Sequence, residues 1–302
     1  MKVRDMRQDI NYIKEGNEIF VQKYNGTSSQ FEIPSAIEGL PVTKLEDYAF
    51  HNCRSLQKVI LPDSITTIGN HAFYDCRKLE SMVVFDSIHS IGDGAFKNCY
   101  QLRSIELYLW NGKISVLKNI LSEFSAELTV TLHYGQNAYE KGKTAKIIFP
   151  KFLYDYVENN SARIIRQETY GSGVHYRECM TENDIDYKKY DSIFHVGMAV
   201  DMLETTLFIA LYRIMYPYQL METSKDNYGC FIREHWEVLM KLLVEDEMRE
   251  EILCLINENV ISIEQLDSLM EYARRQQKLE LVSYFLSYKQ RNYQNKSITF
   301  EL

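Results

Sequence analysis

The sequence predicts an α+β protein, a β-solenoid of 23-residue turns over residues 1–168 followed by an all-α helical domain over residues 169–302. Two observations carry this. One set of apolar positions recurs every 23 residues between Leu45 and Leu107, and from about Asp186 the apolar period becomes helical. A chain of 302 residues has room for both parts.

Ala49-Phe50, Ala72-Phe73 and Ala95-Phe96 share the 23-residue spacing, as do Cys53, Cys76 and Cys99, and Leu56, Leu79 and Leu102. Leu45, Ile68 and Ile91 precede them, while Val59, Met82 and Ile105, then Leu61, Val84 and Leu107, follow. Alternation over Lys58-Val59-Ile60-Leu61 is that of a short strand with Val59 and Leu61 on one face. Pro62-Asp63-Ser64 turns the chain, Ile65 to Gly69 makes a second short run, and Ala72-Phe73 begins a tight helical turn. No such unit buries its apolar face alone, so the turns must stack. The three cysteines are then expected to be reduced, buried plugs at equivalent places in successive turns. Paired C-x-x-C ligand spacing, which a zinc site would want, is absent.

The stretch Ile68-Gly69-Asn70-His71-Ala72-Phe73-Tyr74-Asp75-Cys76-Arg77-Lys78-Leu79, with its counterparts 23 residues either side, closely resembles the BspA-like (Treponema-type) leucine-rich repeats. Phe31 to Val42 is similar to that family's usual first turn. The resemblance covers about residues 10–107 and implies a leucine-rich-repeat solenoid, with a cap over 10–30 and clear repeats over 31–107. Many members of that family are secreted adhesion proteins. Here the opening residues Met1 to Asp9 contain no apolar export segment, so the expected location is cytoplasmic, or the cell surface if the chain is trimmed.

After Leu107 the repeat degrades. Ile114, Leu117, Ile120, Leu121 and Phe124 form a helical stripe, and Leu128-x-Val130-x-Leu132 alternates as a strand. Lys146-Ile147-Ile148-Phe149-Pro150 echoes Lys58 to Pro62, and Ala162 to Ile165 reads as one more strand. Residues 108–168 are therefore expected to be divergent turns that close the solenoid. Beyond them, Tyr190 to Met215 reads as one helix ended by Tyr216-Pro217, and Tyr228 to Leu243 as another. Met248 to Ile256 follows, then a helix to Arg275 opened by the capping box Ser262-Ile263-Glu264-Gln265. Lys278 to Lys289 is the last, with Leu279, Leu281, Val282, Phe285 and Leu286 inward. These final two helices are weakly similar to an ankyrin-type hairpin.

The charge of −8 lies wholly in residues 181–302, which hold 13 basic and 21 acidic side chains, whereas residues 1–180 hold 21 of each. An acidic half repels phosphate backbones and anionic lipid, which argues against nucleic acid and membrane partners. The apolar stretch Met202 to Met215 is too short to span a bilayer and contains Glu204 and Arg213.

No motif for nucleophilic or metal catalysis appears. Gly171-Ser172-Gly173-Val174-His175 lacks the rest of a phosphate loop and reads as a flexible loop. His51, His71, His89 and His133 are expected to face solvent. Glu245-Asp246-Glu247 with Glu250-Glu251 suits a solvated helix start. The tyrosines between Tyr134 and Tyr228 serve either recognition or packing.

The expected function is a non-enzymatic scaffold binding another protein, with no cofactor and no metal. The rival readings are a BspA-type surface adhesin and an enzyme with a site between the two halves. Register puts Lys58, Ile60, Ser81, Val83, Ser104 and Glu106 on the outward face of the strand ladder, with Ile60 and Val83 an apolar strip. These six are the candidate protein-binding residues.

Overall fold

The computed structural model describes residues 9–135, 142–159, 164–181 and 183–293. In chain order the first strands are β1 (Ile10–Glu15), β2 (Glu18–Tyr24), β3 (Gln30–Glu32), β4 (Ala36–Ile37), β5 (Leu40–Leu45), β6 (Lys58–Ile60) and β7 (Thr67–Ile68). They are followed by β8 (Ser81–Phe85), β9 (Ser90–Ile91), β10 (Ser104–Leu109), β11 (Leu128–Tyr134), β12 (Thr144–Phe149), β13 (Leu153–Asn159) and β14 (Ile164–Tyr170). One helix, α1 (Ser115–Ser122), lies among them, and α2 (Gly173–Arg177) and α3 (Tyr187–Val200) come after. The second compact unit, residues 202–302, contains α4 (Leu203–Met215), α5 (Glu222–Glu234), α6 (Trp236–Glu245), α7 (Arg249–Asn257), α8 (Ile263–Arg275) and α9 (Leu279–Tyr293).

Each 23-residue turn contributes one strand to each of two sheets. The first runs β1-β2-β5-β7-β9, and the second runs β12-β11-β10-β8-β6-β3. Strands of successive turns are parallel, in the register the period requires: Val59 pairs Met82, which pairs Ile105. The inward side chains Val59, Leu61, Met82, Val84, Ile105 and Leu107 are fully buried, as are Leu45 and Ile68 of the other sheet. The β1–β2 hairpin closes the open end, tight at Gly16 with a positive φ of 61°, and continues into the first sheet through the parallel β2–β5 pair.

The Ala-Phe segments form a third ladder. Phe50 N donates to Ala72 O at 2.7 Å, and Phe73 N to Ala95 O at 2.8 Å. The rings stack along the same line, Phe50 on Phe73 at 5.0 Å and Phe73 on Phe96 at 5.6 Å. A Cβ on the motif glycine Gly69 would lie 2.6 Å from Asp47 N, so the repeat keeps glycine where the preceding turn presses closest.

The thiols belong to this ladder. Cys76 Sγ donates to Phe50 O at 3.0 Å and Cys99 Sγ to Phe73 O at 3.2 Å, both buried. Cys53 Sγ points to His51 O of its own turn at 4.0 Å and is only half-buried, so the expectation of three buried plugs holds for two. Donation from Cys53 lowers the Cys76 pKa, but the Cys99 thiol and burial outweigh it, pushing the group up to about 12. Brief iodoacetamide treatment of native protein at pH 8 should therefore label exposed Cys230 and spare Cys76 and Cys99 until unfolding. Peptide mass spectrometry reads the order, and early labelling of Cys76 contradicts the ladder.

Beyond Leu107 the architecture departs from further regular turns. Helix α1 stands where a fourth Ala-Phe segment would fall, with Val116, Leu117, Ile120 and Leu121 buried. Strand β11 still pairs parallel with β10, but β12 pairs antiparallel with β11 and ends the parallel run. β13 and β14 form a separate two-stranded sheet. Ala162 and Arg163, part of the expected last strand, lie outside the described residues.

The outer edge of β12 is covered rather than left open. Tyr190 of α3 donates its hydroxyl to Ile148 O at 2.7 Å and accepts from Ile148 N at 3.0 Å. The first unit therefore reaches Asp201, whereas the division expected at 168 falls inside β14.

The expected helix Tyr190–Met215 is two helices, broken at Asp201-Met202. Asp201 takes an extended conformation, and its carboxylate accepts from Ser172 N at 2.9 Å and from Ser172 Oγ. That bond also corrects the flexible-loop reading of Gly171 to His175. Ser172 is buried, and a Cβ on Gly173 would collide with Pro150 O. Tyr176, Tyr187 and Tyr190 are buried too, so much of the tyrosine-rich segment is packing.

In the second unit, His235 divides the expected Tyr228–Leu243 helix into α5 and α6. The capping box forms as read, Gln265 N donating to Ser262 Oγ and Ser262 N to Gln265 Oε1. Leu239 and Leu269, Leu243 and Ala273, Ile252 and Val282, and Leu255 and Phe285 share one constant spacing. The α6–α7 and α8–α9 hairpins are thus two copies of one unit, with positive φ at equivalent Glu247 and Gln277. In α9, Leu281, Val282 and Phe285 are buried as expected, but Leu279 and Leu286 are 66% and 42% exposed, because the buried stripe is narrower than assumed. Of the acidic cluster, Glu247 accepts from Lys278 at 3.0 Å, and Glu250 and Glu251 occupy the first turn of α7.

Candidate functional site

The outward face of the second sheet is a grid fixed by strand register. Along one row Lys58, Ser81, Ser104 and Thr129 are neighbours, and along the next Ile60, Val83, Glu106 and Thr131. The structure thus brings the six sequence-derived positions together on three adjacent strands. Lys58, Ile60, Ser81, Ser104 and Glu106 are half-buried. Val83 is only 8% exposed, because Ile60 and Glu106 flank it at cross-strand distance on both sides. The apolar strip of Ile60 and Val83 is correspondingly small.

A third row, which sequence reasoning missed, is larger. Phe85, Tyr108 and His133 are register partners, their rings stacked at 5.1 Å and then 4.5 Å. Trp110, 42% exposed, sets its ring edge to face against Phe85 at 5.0 Å. Phe85 and Tyr108 obey the 23-residue spacing and could have been found by carrying the repeat one alternation further. His133 lies 25 residues after Tyr108, because the divergent turn is two residues longer.

Burial lowers the pKa of His133, with the nearby Glu106 carboxylate (3.9 Å) opposing the shift, so the imidazole is neutral at pH 7. His133 and His71 are half-buried and stacked on tyrosines, while His51 and His89 face solvent.

The tip of this corner is held rigidly. Asp86 is buried and accepts from Asn111 N and from Asn111 Nδ2 at 3.2 Å, which ties the turn after β8 to the segment carrying Trp110. The row therefore presents aromatic edges, an indole and one carboxylate on fixed backbone. That combination suits recognition of a peptide or protein surface. Among the described residues no cluster of three or more His, Cys, Asp or Glu could hold a metal ion. No helix among them is long and apolar enough to cross a membrane.

Residues 16–129 match the model of the BspA type leucine-rich repeat region, in six copies. No curated protein matches the chain. Among solved structures, a leucine-rich repeat protein of T. pallidum is 26% identical over 33% of this chain and 69% of its own, with a TM-score of 0.25. A leucine-rich cell surface protein of Faecalibacterium prausnitzii is 30% identical over 33% of this chain, with a TM-score of 0.29. A leucine-rich repeat protein of Bacteroides ovatus is 27% identical over 33%, with a TM-score of 0.28. This chain spans 31% and 30% of those two. Residues 16–129 of this chain thus match a BspA type leucine-rich repeat region, and the regular turns within them stack as a β-solenoid with a 23-residue period.

Proposed function

We propose that this protein is a non-enzymatic scaffold that binds another protein through the outward face of its parallel sheet. The observation that carries this reading is the stacked row Phe85–Tyr108–His133 with exposed Trp110, beside Glu106. Rigid aromatic side chains give large contact area at little entropic cost, and so dominate binding hot spots. The six positions Lys58, Ile60, Ser81, Val83, Ser104 and Glu106 then flank that row, Lys58, Ser81, Ser104 and Glu106 as its polar members. A cytoplasmic location is supported by the Cys76 and Cys99 thiols serving as hydrogen-bond donors, a role that oxidation would remove. Protease accessibility on intact cells would favour the surface adhesin instead.

The test compares immobilised wild-type protein with Trp110→Ala and Glu106→Lys in native lysate. Proteins retained by the wild type should be lost from Trp110→Ala, whose affinity falls by about 2 kcal/mol or more, as at binding hot spots. Both variants should melt within a few degrees of wild type. Equal retention by all three would sink the assignment of this face.

A further inference from the structure

The Ala-Phe ladder has a direction, and its last rung faces a cleft. In each regular turn three alternate N–H groups donate to carbonyls of the next turn. Tyr48, Phe50 and Asn52 donate to Asn70, Ala72 and Tyr74 at 3.0, 2.7 and 2.8 Å. His71, Phe73 and Asp75 donate to Asp93, Ala95 and Lys97 at 3.1, 2.8 and 3.0 Å. The third turn should present Gly94, Phe96 and Asn98 in the same way, but no fourth turn of that kind follows.

Glu123 fills the middle place. Its carboxylate accepts from Phe96 N at 2.9 Å and from Ala95 N at 3.2 Å, and Phe124 meets the Phe96 ring at 6.1 Å, tilted by 40° rather than stacked. The N–H groups of Gly94 and Asn98, either side of that cap, meet no acceptor among the described residues. Between them and Glu123–Ala126 lies a cleft of about 440 Å³, walled by Phe96 and Phe124.

We infer that this cleft binds a peptide segment of a partner, which lies along the third turn as a surrogate fourth, its main-chain carbonyls accepting from Gly94 N and Asn98 N. The main-chain groups left over on this edge are donors, so its occupant must bring acceptors. In both regular turns the group in this place is main chain with carbonyls at alternate residues, which fixes the spacing. A free anion is disfavoured, because the Glu123 carboxylate already sits at the centre of the edge and offsets Lys97 in the same lining. The apolar walls suit the Ala-Phe pair that stands at the middle rung of the repeat itself, Ala72-Phe73 and Ala95-Phe96. None of the lining belongs to the outward sheet face, so this site is separate from the one proposed above.

The chain supplies its own probe. An acetylated, amidated heptapeptide with the sequence of Gly69 to Asp75 carries the carbonyls that satisfy Tyr48, Phe50 and Asn52. Titrated to millimolar concentration into 15N-labelled full-length protein, it should shift the Gly94 and Asn98 amide resonances and slow their hydrogen exchange. Glu123→Ala frees Ala95 N and Phe96 N, of which Phe96 N is the third donor of the rung line, and should tighten binding by about threefold to tenfold, the worth of one further hydrogen bond. Glu123→Gln keeps the acceptor and should leave affinity within about twofold, below the worth of one bond. If Glu123→Ala does not fold, Ser125→Trp, which fills the cleft from its rim, supplies the test by abolishing the shifts. The proposal fails if Gly94 and Asn98 do not respond, if shifts fall on Tyr108 and His133 instead, or if Glu123→Ala fails to tighten binding.

Discussion

Phe73→Ala should cost about 3–5 kcal/mol of stability, the range for truncation of a fully buried phenylalanine. Phe73 is completely buried in the central turn, with Phe50 stacked on one side and Phe96 on the other. In a solenoid each turn is stabilised by both neighbours, so a cavity in the middle weakens two interfaces at once. Phe96→Ala should cost less. Its outer neighbour Phe124 is tilted, and residues 123–126 border a cleft into which the site can relax. Urea unfolding followed by Trp110 emission in a Trp236→Phe background isolates the first unit. A loss below about 1 kcal/mol for Phe73→Ala, or a larger loss for Phe96→Ala, would show that the ring stack does not hold the turns together.

Arg177→Met should destabilise the end of the solenoid by about 3 kcal/mol or more, since it strands several carbonyls at once. The Arg177 guanidinium donates to Pro150 O and Gly173 O at 2.9 Å each, to Phe124 O at 3.0 Å and to Ala126 O at 3.1 Å. It also lies over the Phe152 ring at 4.7 Å. Three separate segments are thus tied to one side chain, the last of them opening α2. Burial pulls the Arg177 pKa down to about 10, which leaves the group charged at pH 7.

Methionine fills much of the same volume but provides no donors, so the carbonyls must find water or remain unpaired. Arg177→Lys has the charge without the planar fork, and should recover less than half of the loss. Hydrogen exchange should accelerate at Phe152, whose N–H donates to Ser125 O at 2.9 Å beside this staple. Full recovery by lysine would mean that charge, and not the multiple bonds, is what matters at this position.

These two residues mark the limits of what the sequence reveals. Phe73 is legible because the period repeats it at Phe50 and Phe96, and a pattern of apolar residues is itself the record of which face is buried. Arg177 is not. Its partners are main-chain carbonyls, which every residue carries, so no spacing announces them. The same holds for Glu123, whose carboxylate stands in for the carbonyls of a missing turn, and for Tyr190, which covers the edge of β12. Of the candidate site, the polar rows were read from alternation, but the aromatic row was not, because its third member is displaced by the longer turn.

The stacking of the turns, the register of β6, β8 and β10, the inward set from Val59 to Leu107, and the capping box at Ser262 are all written in the amino-acid order. Each of these depends on local geometry repeated at a fixed interval, so each leaves a period or a spacing in the chain. The antiparallel direction of β12, the break of the helical stretch at Asp201 and the packing of α3 with the solenoid emerge from long-range contacts alone. Alternation encodes which face of a strand is buried but not its direction. A helical stripe likewise cannot announce that Asp201 leaves the helix to bind Ser172, because that partner comes from 29 residues away and is chosen by packing.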